Sequence, residues 1–102
     1  MVYSVPLSLD AEQNIQGLFT TLTSGAQLVF IFTDSSKLSH YLRAAANSLA
    51  GSGRKVGSTQ MEADSFEDLI ATLLKMDPSM TGTVTFLPDS DPMFEQILAQ
   101  MQ

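Results

Sequence analysis

Hydrophobic residues recur at the three-to-four-residue spacing of a helix face in four segments of this chain. The predicted faces are Ile15, Leu18, Phe19 and Leu22; Leu38, Tyr41, Leu42, Ala45 and Leu49; Phe66, Leu69, Ile70, Leu73 and Leu74; and Phe94, Ile97, Leu98 and Met101. The pattern therefore predicts four amphipathic helices.

Polar residues, glycines and prolines predict where these helices begin and end. The first is expected to run from Asp10 to a glycine cap at Gly25, and the second from a cap at Ser35 or Ser36 to residues 51–53. The third is expected between the capping sequence of residues 65–68 and Asp77-Pro78. The last is expected to open at Asp91-Pro92, with aspartate as N-cap and proline in the first turn.

Four shorter segments between these helices are typical of β-strands. Residues 28–32 are apolar throughout, which is typical of a central parallel strand buried on both faces. Residues 83–87 alternate, and the polar segment 55–61 is predicted to lie towards an edge. Residues 2–7 contain Pro6, which is expected to confine that strand to an edge or an end.

The elements alternate in the order β-α-β-α-β-α-β-α. Such alternation is typical of parallel strands joined by right-handed crossovers through helices. We therefore predict one small α/β domain over residues 1–102, with a mostly parallel four-stranded sheet and helices packed against it.

Composition limits the functions open to the chain. It has no cysteine, which excludes disulfides and thiolate chemistry. Its apolar runs are too short to span a membrane and its N-terminus lacks the pattern of a secretory signal, so a cytoplasmic location is expected. The formal net charge is −6, which argues against nucleic acid as a partner.

The charges are nevertheless unevenly distributed. Residues 35–60 contain Lys37, Arg43, Arg54 and Lys55 and no acidic residue. This basic segment predicts either a solvated helix face or a surface that recognises a phosphate or an acidic protein.

Catalytic groups are few. His40 is the single histidine and lies beside the apolar face of its helix, so it is predicted to be a surface residue. Asp34, Asp89 and Asp91 follow strand ends, where three carboxylates could hold Mg²⁺; alternatively Asp34 and Asp91 cap helices and Asp89 lies in a turn. No enzymatic activity and no cofactor are expected.

The sequence Asp34-Ser35-Ser36 joins the apolar strand to the second helix. A serine at a helix N-terminus lies where free N–H groups and the helix dipole stabilise an anion. Phosphorylation there would add charge and acceptors, although an ordinary helix cap also explains the sequence.

Several segments together resemble STAS domains, the fold of anti-sigma-factor antagonists and of small lipid-transport accessory proteins. The resembling segments are Leu9-Asp10-Ala11, Gly25-Ala26 with Leu28-Val29, Asp34-Ser35-Ser36 with Leu38, the helix from Tyr41 to Ala50 with Gly51, Gly53 and Val56, and Phe86 to Asp89. The resemblance implies that Ser36 is the serine phosphorylated by a partner kinase and that the phosphate releases a bound protein. Lys37 stands where the motif has glycine, and about six residues that normally precede the motif are missing.

The sequence therefore predicts a non-enzymatic module that binds another protein. The expected binding surface comprises Asp34, Ser35, Ser36, Lys37, His40 and Arg43, with Ser36 as a candidate phosphosite. Two alternatives remain: a small-ligand or Mg²⁺ domain using Asp34, Asp89 and Asp91, and a homodimer formed through an apolar helix face.

Overall fold

The computed structural model describes residues 1–23 and 25–101, except the side chain of Thr23. Within these residues the elements follow in the order β1 (Val2–Leu9), β2 (Ile15–Leu18), β3 (Thr21–Thr23), β4 (Ala26–Ile31), α1 (Ser35–Ser48), β5 (Lys55–Glu62), α2 (Phe66–Met76), a 3₁₀ turn (Pro78–Met80), β6 (Val84–Pro88) and α3 (Pro92–Met101). None of the described helices is long and apolar enough to cross a membrane.

The strands form two three-stranded sheets, which corrects the predicted mostly parallel four-stranded sheet. The first has the order β2-β1-β5 and is antiparallel throughout. In the second, β3-β4-β6, β3 is antiparallel to β4 and β6 is parallel to it. Reciprocal backbone hydrogen bonds of 2.8 and 2.9 Å between Ser4 and Phe32 join the two sheets.

The described residues of the segment from Asp10 to Gly25 contain no helix, contrary to the prediction, because Asp10 closes a turn instead. Its carboxylate accepts backbone N–H bonds from Asn14 and Glu12, both at 2.9 Å, and these bonds, that from Asn14 above all, hold its pKa below the usual value. Gln13 has φ of 68°, which no α-helix allows. The chain leaves this turn as β2 and β3, so β1 reaches β4 without a helical crossover and the two strands meet antiparallel.

The strand β4 lies between two hydrophobic cores, as the apolar run predicts. Leu28, Phe30 and Phe32 face one core, which also contains side chains of α1 and α3. Val29 and Ile31 face the other, which contains Leu69 and Leu73 of α2 along with Tyr3 and Val5 of β1. The successive residues of β4 thus point to opposite faces, and the helices cover both.

Pro6 does not place β1 at an edge, because β1 is the central strand of its sheet. Ser4, two residues earlier, directs its N–H and C=O towards Phe32, so the nitrogen of Pro6 faces the same side. On that side the chain bends from β2 to β3, and Phe19 donates its N–H to the carbonyl of Pro6 at 3.1 Å. An N–H at position 6 would point towards this bend and away from β5. The absence of that N–H in proline therefore removes no hydrogen bond between β1 and β5. The edge position predicted for β5 is confirmed.

The helix α1 begins where predicted, but its N-cap is Asp34 rather than a serine. Ser65 caps α2 by accepting from the N–H of Asp68 at 3.2 Å, as its sequence predicts. Asp91 accepts from the N–H of Met93 at 2.9 Å at the start of α3. Local polar residues therefore set the beginning of all three described helices.

Candidate functional site

The carboxylate of Asp89 ties the end of β6 to the end of β4. Asp89 is buried, and its Oδ2 accepts the N–H groups of Thr33 and Asp34, both at 3.0 Å. Its Oδ1 accepts the hydroxyl of Thr33 at 3.2 Å. Since β4 and β6 are parallel neighbours, their carboxyl ends meet here and fix the start of α1.

Asp34 positions the first turn of α1. Its Oδ1 accepts the N–H of Ser36 at 2.8 Å and that of Lys37 at 3.3 Å. Asp34, Ser35 and Ser36 are all exposed. The serine hydroxyls therefore stand at the surface, on backbone held by the Asp34 cap and by Asp89.

The side chain of Lys37 lies against the turn between β6 and α3. Its Nζ donates to the backbone carbonyl of Asp89 at 3.1 Å and lies 5.9 Å from the ring centroid of Phe94. The residue is half-buried in consequence. The side chain of Lys37 thus packs on the protein instead of extending over Ser36.

His40 and Arg43 lie further along α1, and both are exposed. With Ala44 and Asn47 they line a surface depression of about 230 Å³. α1 contains no acidic residue, so the helix itself places no carboxylate beside them. The depression offers an imidazole and a guanidinium to an approaching acceptor.

The structure thus brings the predicted surface together in two adjoining parts. Asp34 to Lys37 form the junction with β4 and β6, and His40 and Arg43 continue from Lys37 at three-residue steps on the helix. We call this set of six side chains the α1 surface.

The three carboxylates considered for Mg²⁺ have other roles. Asp34 and Asp91 accept helix N–H groups, and Asp89 is occupied by Thr33 and Asp34. In the ranges 1–23 and 25–101, no three acidic or histidine side chains are grouped so that they could hold a metal ion. The alternative in which Asp34 and Asp91 cap helices agrees with these contacts.

Sequence reasoning missed the environment of Tyr41. The side chain is fully buried, with its ring 5.2 to 6.0 Å from the rings of Phe19, Phe30, Phe32 and Phe94. Its hydroxyl makes no hydrogen bond within the described part of the chain. Burial raises the pKa of Tyr41 to about 12. The helical spacing predicts burial of Tyr41 but carries no signal for its missing partner.

An apolar groove lies away from the α1 surface, between β2 and the end of α2. Its cavity of about 290 Å³ is lined in part by Leu7, Ile15, Leu18, Met76 and Met80. Ile15 and Met76 are 66% and 71% exposed. Sequence reasoning missed this groove, because the pattern predicts a helix from Asp10 to Gly25 where the structure has β2.

Comparisons with protein-family models, with curated protein sequences and with solved structures give no match for this chain.

Proposed function

We propose that this chain is a non-enzymatic protein-interaction domain and that its partner binds the α1 surface. The observation that carries the proposal is the exposure of His40 and Arg43 around a depression on a helix without acids. The adjoining serines stand on backbone fixed by Asp34 and Asp89, so the surface is formed before a partner arrives. Preformed surfaces lose little conformational entropy on binding.

The charge of this surface indicates the kind of partner. The chain as a whole is acidic, yet the α1 surface carries the two basic residues Lys37 and Arg43 against the single acid Asp34. An acidic segment or face of another protein complements such a surface, and electrostatic complementarity favours encounter and register. A cytoplasmic protein is the partner that this proposal assumes.

The proposal includes phosphorylation of Ser36 as the switch that releases the partner, in the manner that the STAS resemblance implies. Ser36 is exposed in the first turn of α1, where N–H groups and the helix dipole tolerate a phosphate. A phosphate there would offset the positive charge of Arg43 and repel an acidic partner. Lys37 does not cover the serine, because its ammonium is bonded to the Asp89 carbonyl.

The experiment is affinity capture from a cytoplasmic extract, read by quantitative mass spectrometry. The native chain is compared with Arg43→Glu and with Lys75→Glu, which makes the same charge change at an exposed residue of α2. We expect a partner that the native chain and Lys75→Glu retain equally and that Arg43→Glu loses. Equal capture by all three chains would show that the surface is wrong.

A further inference from the structure

The strand β5 has an open outer edge. It is the last strand of the order β2-β1-β5, and in the described part of the chain it pairs with β1 alone. Its eight pairs with β1 run from Leu9 opposite Lys55 to Val2 opposite Glu62 without a bulge. An edge strand of this length presents unpaired N–H and C=O groups that can pair with another chain.

The hydrogen bonds of β1 identify which residues of β5 face outwards. Ser4 of β1 directs its backbone groups to Phe32, away from β5, so the odd-numbered residues of β1 bond to β5. The reciprocal bonds of Met1 and Ala63, at 3.0 and 3.1 Å, follow the same rule. The N–H and C=O groups of the even-numbered residues Val56, Ser58, Gln60 and Glu62 consequently point to the outer edge.

Nothing in the middle of β5 blocks pairing. Residues 56–61 contain no proline and no charged residue, which are the usual means of protecting an edge. Ser58, Thr59 and Gln60 are exposed at its centre. The charges lie at the two ends: Arg54 and Lys55 at the start and Glu62 at the finish.

We propose that two copies of this chain associate by antiparallel pairing of β5 with β5 across a two-fold axis. Antiparallel pairing sets the basic start of one strand against the acidic end of the other, twice, whereas parallel pairing would set like charges together. The strand edge is thus complementary in charge to a second copy of itself.

Symmetry restricts the register. A two-fold axis perpendicular to the sheet requires that paired residues point to the same face of the sheet. Because successive residues of a strand point to opposite faces, the axis must pass between the same residue of the two copies. With the axis at Ser58, Val56 lies opposite Gln60 and Arg54 lies opposite Glu62 of the other copy. The Val56–Gln60 pair exchanges the outward N–H and C=O groups of two even-numbered residues. Arg54 precedes β5 and its N–H already donates to the Ser52 hydroxyl at 3.2 Å, so the Arg54–Glu62 pair meets through its side chains.

The face beside this edge also suits a second strand. Leu49, Ala46 and Val56 line a groove of about 470 Å³ at the start of β5, together with Arg54 and Lys55. In the register centred on Ser58, the end of the second β5 runs past this groove and brings Glu62 to Arg54. The Nη2 of Arg54 donates to the Ser8 hydroxyl at 3.0 Å, and its other N–H groups remain to meet a carboxylate.

Light scattering with matched variants at Ser58 tests the edge. We expect the native chain and Ser58→Ala to have twice the chain mass of 11.0 kDa, and Ser58→Pro to have the single mass with native circular dichroism. The N–H of residue 58 points to the outer edge and makes no hydrogen bond to β1. Its removal by proline should therefore leave the pairing of β5 with β1 intact. A native chain that is monomeric at every concentration, or a folded Ser58→Pro dimer, would overturn the proposal.

A charge exchange tests the register and remains decisive if Ser58→Pro fails to fold. Arg54→Glu sets like charges together at both ends of the interface, and we expect the dissociation constant to rise about tenfold. Adding Glu62→Arg restores opposite charges and should return the constant to the native value. An unchanged constant in the single variant, or no recovery in the double variant, would contradict the antiparallel arrangement.

Discussion

The carboxylate of Asp89 accepts two hydrogen bonds from Thr33, one from the backbone N–H at 3.0 Å and one from the hydroxyl at 3.2 Å. The two residues follow parallel neighbouring strands, β6 and β4. Their contact fixes the backbone from which α1 starts, and with it the position of Asp34, Ser35 and Ser36. The stability of this junction and the geometry of the α1 surface are therefore linked.

Replacement of Asp89 by asparagine should destabilise the fold. The Asp89 carboxylate accepts three hydrogen bonds, from the N–H and hydroxyl of Thr33 and from the N–H of Asp34. Asparagine has a single acceptor oxygen, and its NH₂ group would face one or more of these donors, so the three bonds cannot all be kept. Hydrogen bonds to a charged group contribute about 1.5–3 kcal/mol, and we expect a loss of this size in the free energy of unfolding measured with urea.

Asp91→Asn is the matched control for Asp89→Asn, because it removes the same charge from a carboxylate that accepts the Met93 N–H. Asparagine is as good an N-cap as aspartate, so the change in unfolding free energy should be a few tenths of a kcal/mol, roughly. Equal losses in the two variants would show that Asp89 does not hold the junction.

Asp34 should stabilise α1 through its capping oxygen rather than through its charge. We expect Asp34→Ala to lower the unfolding free energy by about 1 kcal/mol and Asp34→Asn to leave it nearly unchanged. Both variants remove the same charge, so thermal or urea unfolding of the pair separates the two effects. A similar loss in both would mean that charge, and not the bond to the Ser36 N–H, is what matters.

Tyr41→Phe should stabilise the protein. The Tyr41 hydroxyl is buried without a hydrogen-bond partner among the described residues, and leaving such a group unsatisfied costs about 1–3 kcal/mol. Removing it keeps the ring contacts with the four phenylalanines, so we expect a gain of about 1 kcal/mol in urea unfolding. Tyr3→Phe is the control, since that hydroxyl has only a 3.6 Å contact with the Met1 sulfur. A destabilised Tyr41→Phe would reveal a bound water or another partner at this hydroxyl.

Stability should also fall at high pH through Tyr41. Its pKa is raised from 10.0 to about 12, so the folded state keeps a proton that the unfolded state releases. The contribution is full below pH 10 and is lost as the pH rises towards 12, by about 2 to 3 kcal/mol. Urea unfolding at several pH values should show a smaller alkaline loss in Tyr41→Phe than in the native chain. Identical losses would contradict the raised pKa.

Ser36→Asp should release the partner captured by the native chain, while Ser36→Ala should retain it. An acidic residue in the first turn of a helix is favourable to the dipole, so the aspartate variant is expected to remain folded. Circular dichroism checks the fold, and quantitative capture measures the bound partner. Retention by a folded Ser36→Asp chain would remove the phosphorylation switch from the proposal.

The sequence predicts best what short segments determine. The starts of α2 and α3 follow from Ser65 and Asp91, each acting on an N–H group two or three residues later. The exposure of His40 and Arg43 follows from the phase of the apolar face of α1. These features depend on contacts within a few residues, which a linear pattern records.

The remaining features depend on distant contacts. Residues 15–22 show helical spacing, yet Ile15 and Leu22 are 66% and 70% exposed. After the turn at Asp10 this segment forms two strands, β2 paired with β1 and β3 paired with β4. The alternation that predicts a parallel sheet includes a helix in this segment, and without that helix β1 and β4 meet antiparallel. Asp89 and Thr33 are 56 residues apart, so their bond could be anticipated only once the strand order was known.

Hydrogen–deuterium exchange with the captured partner tests most directly whether the partner binds the α1 surface. Exchange in the native chain is measured with and without saturating partner, by peptides that cover residues 33–43 and residues 66–76. We predict slower exchange in residues 33–43 on binding and no change in α2. Protection of α2 with unchanged exchange in residues 33–43 would contradict the proposed binding surface.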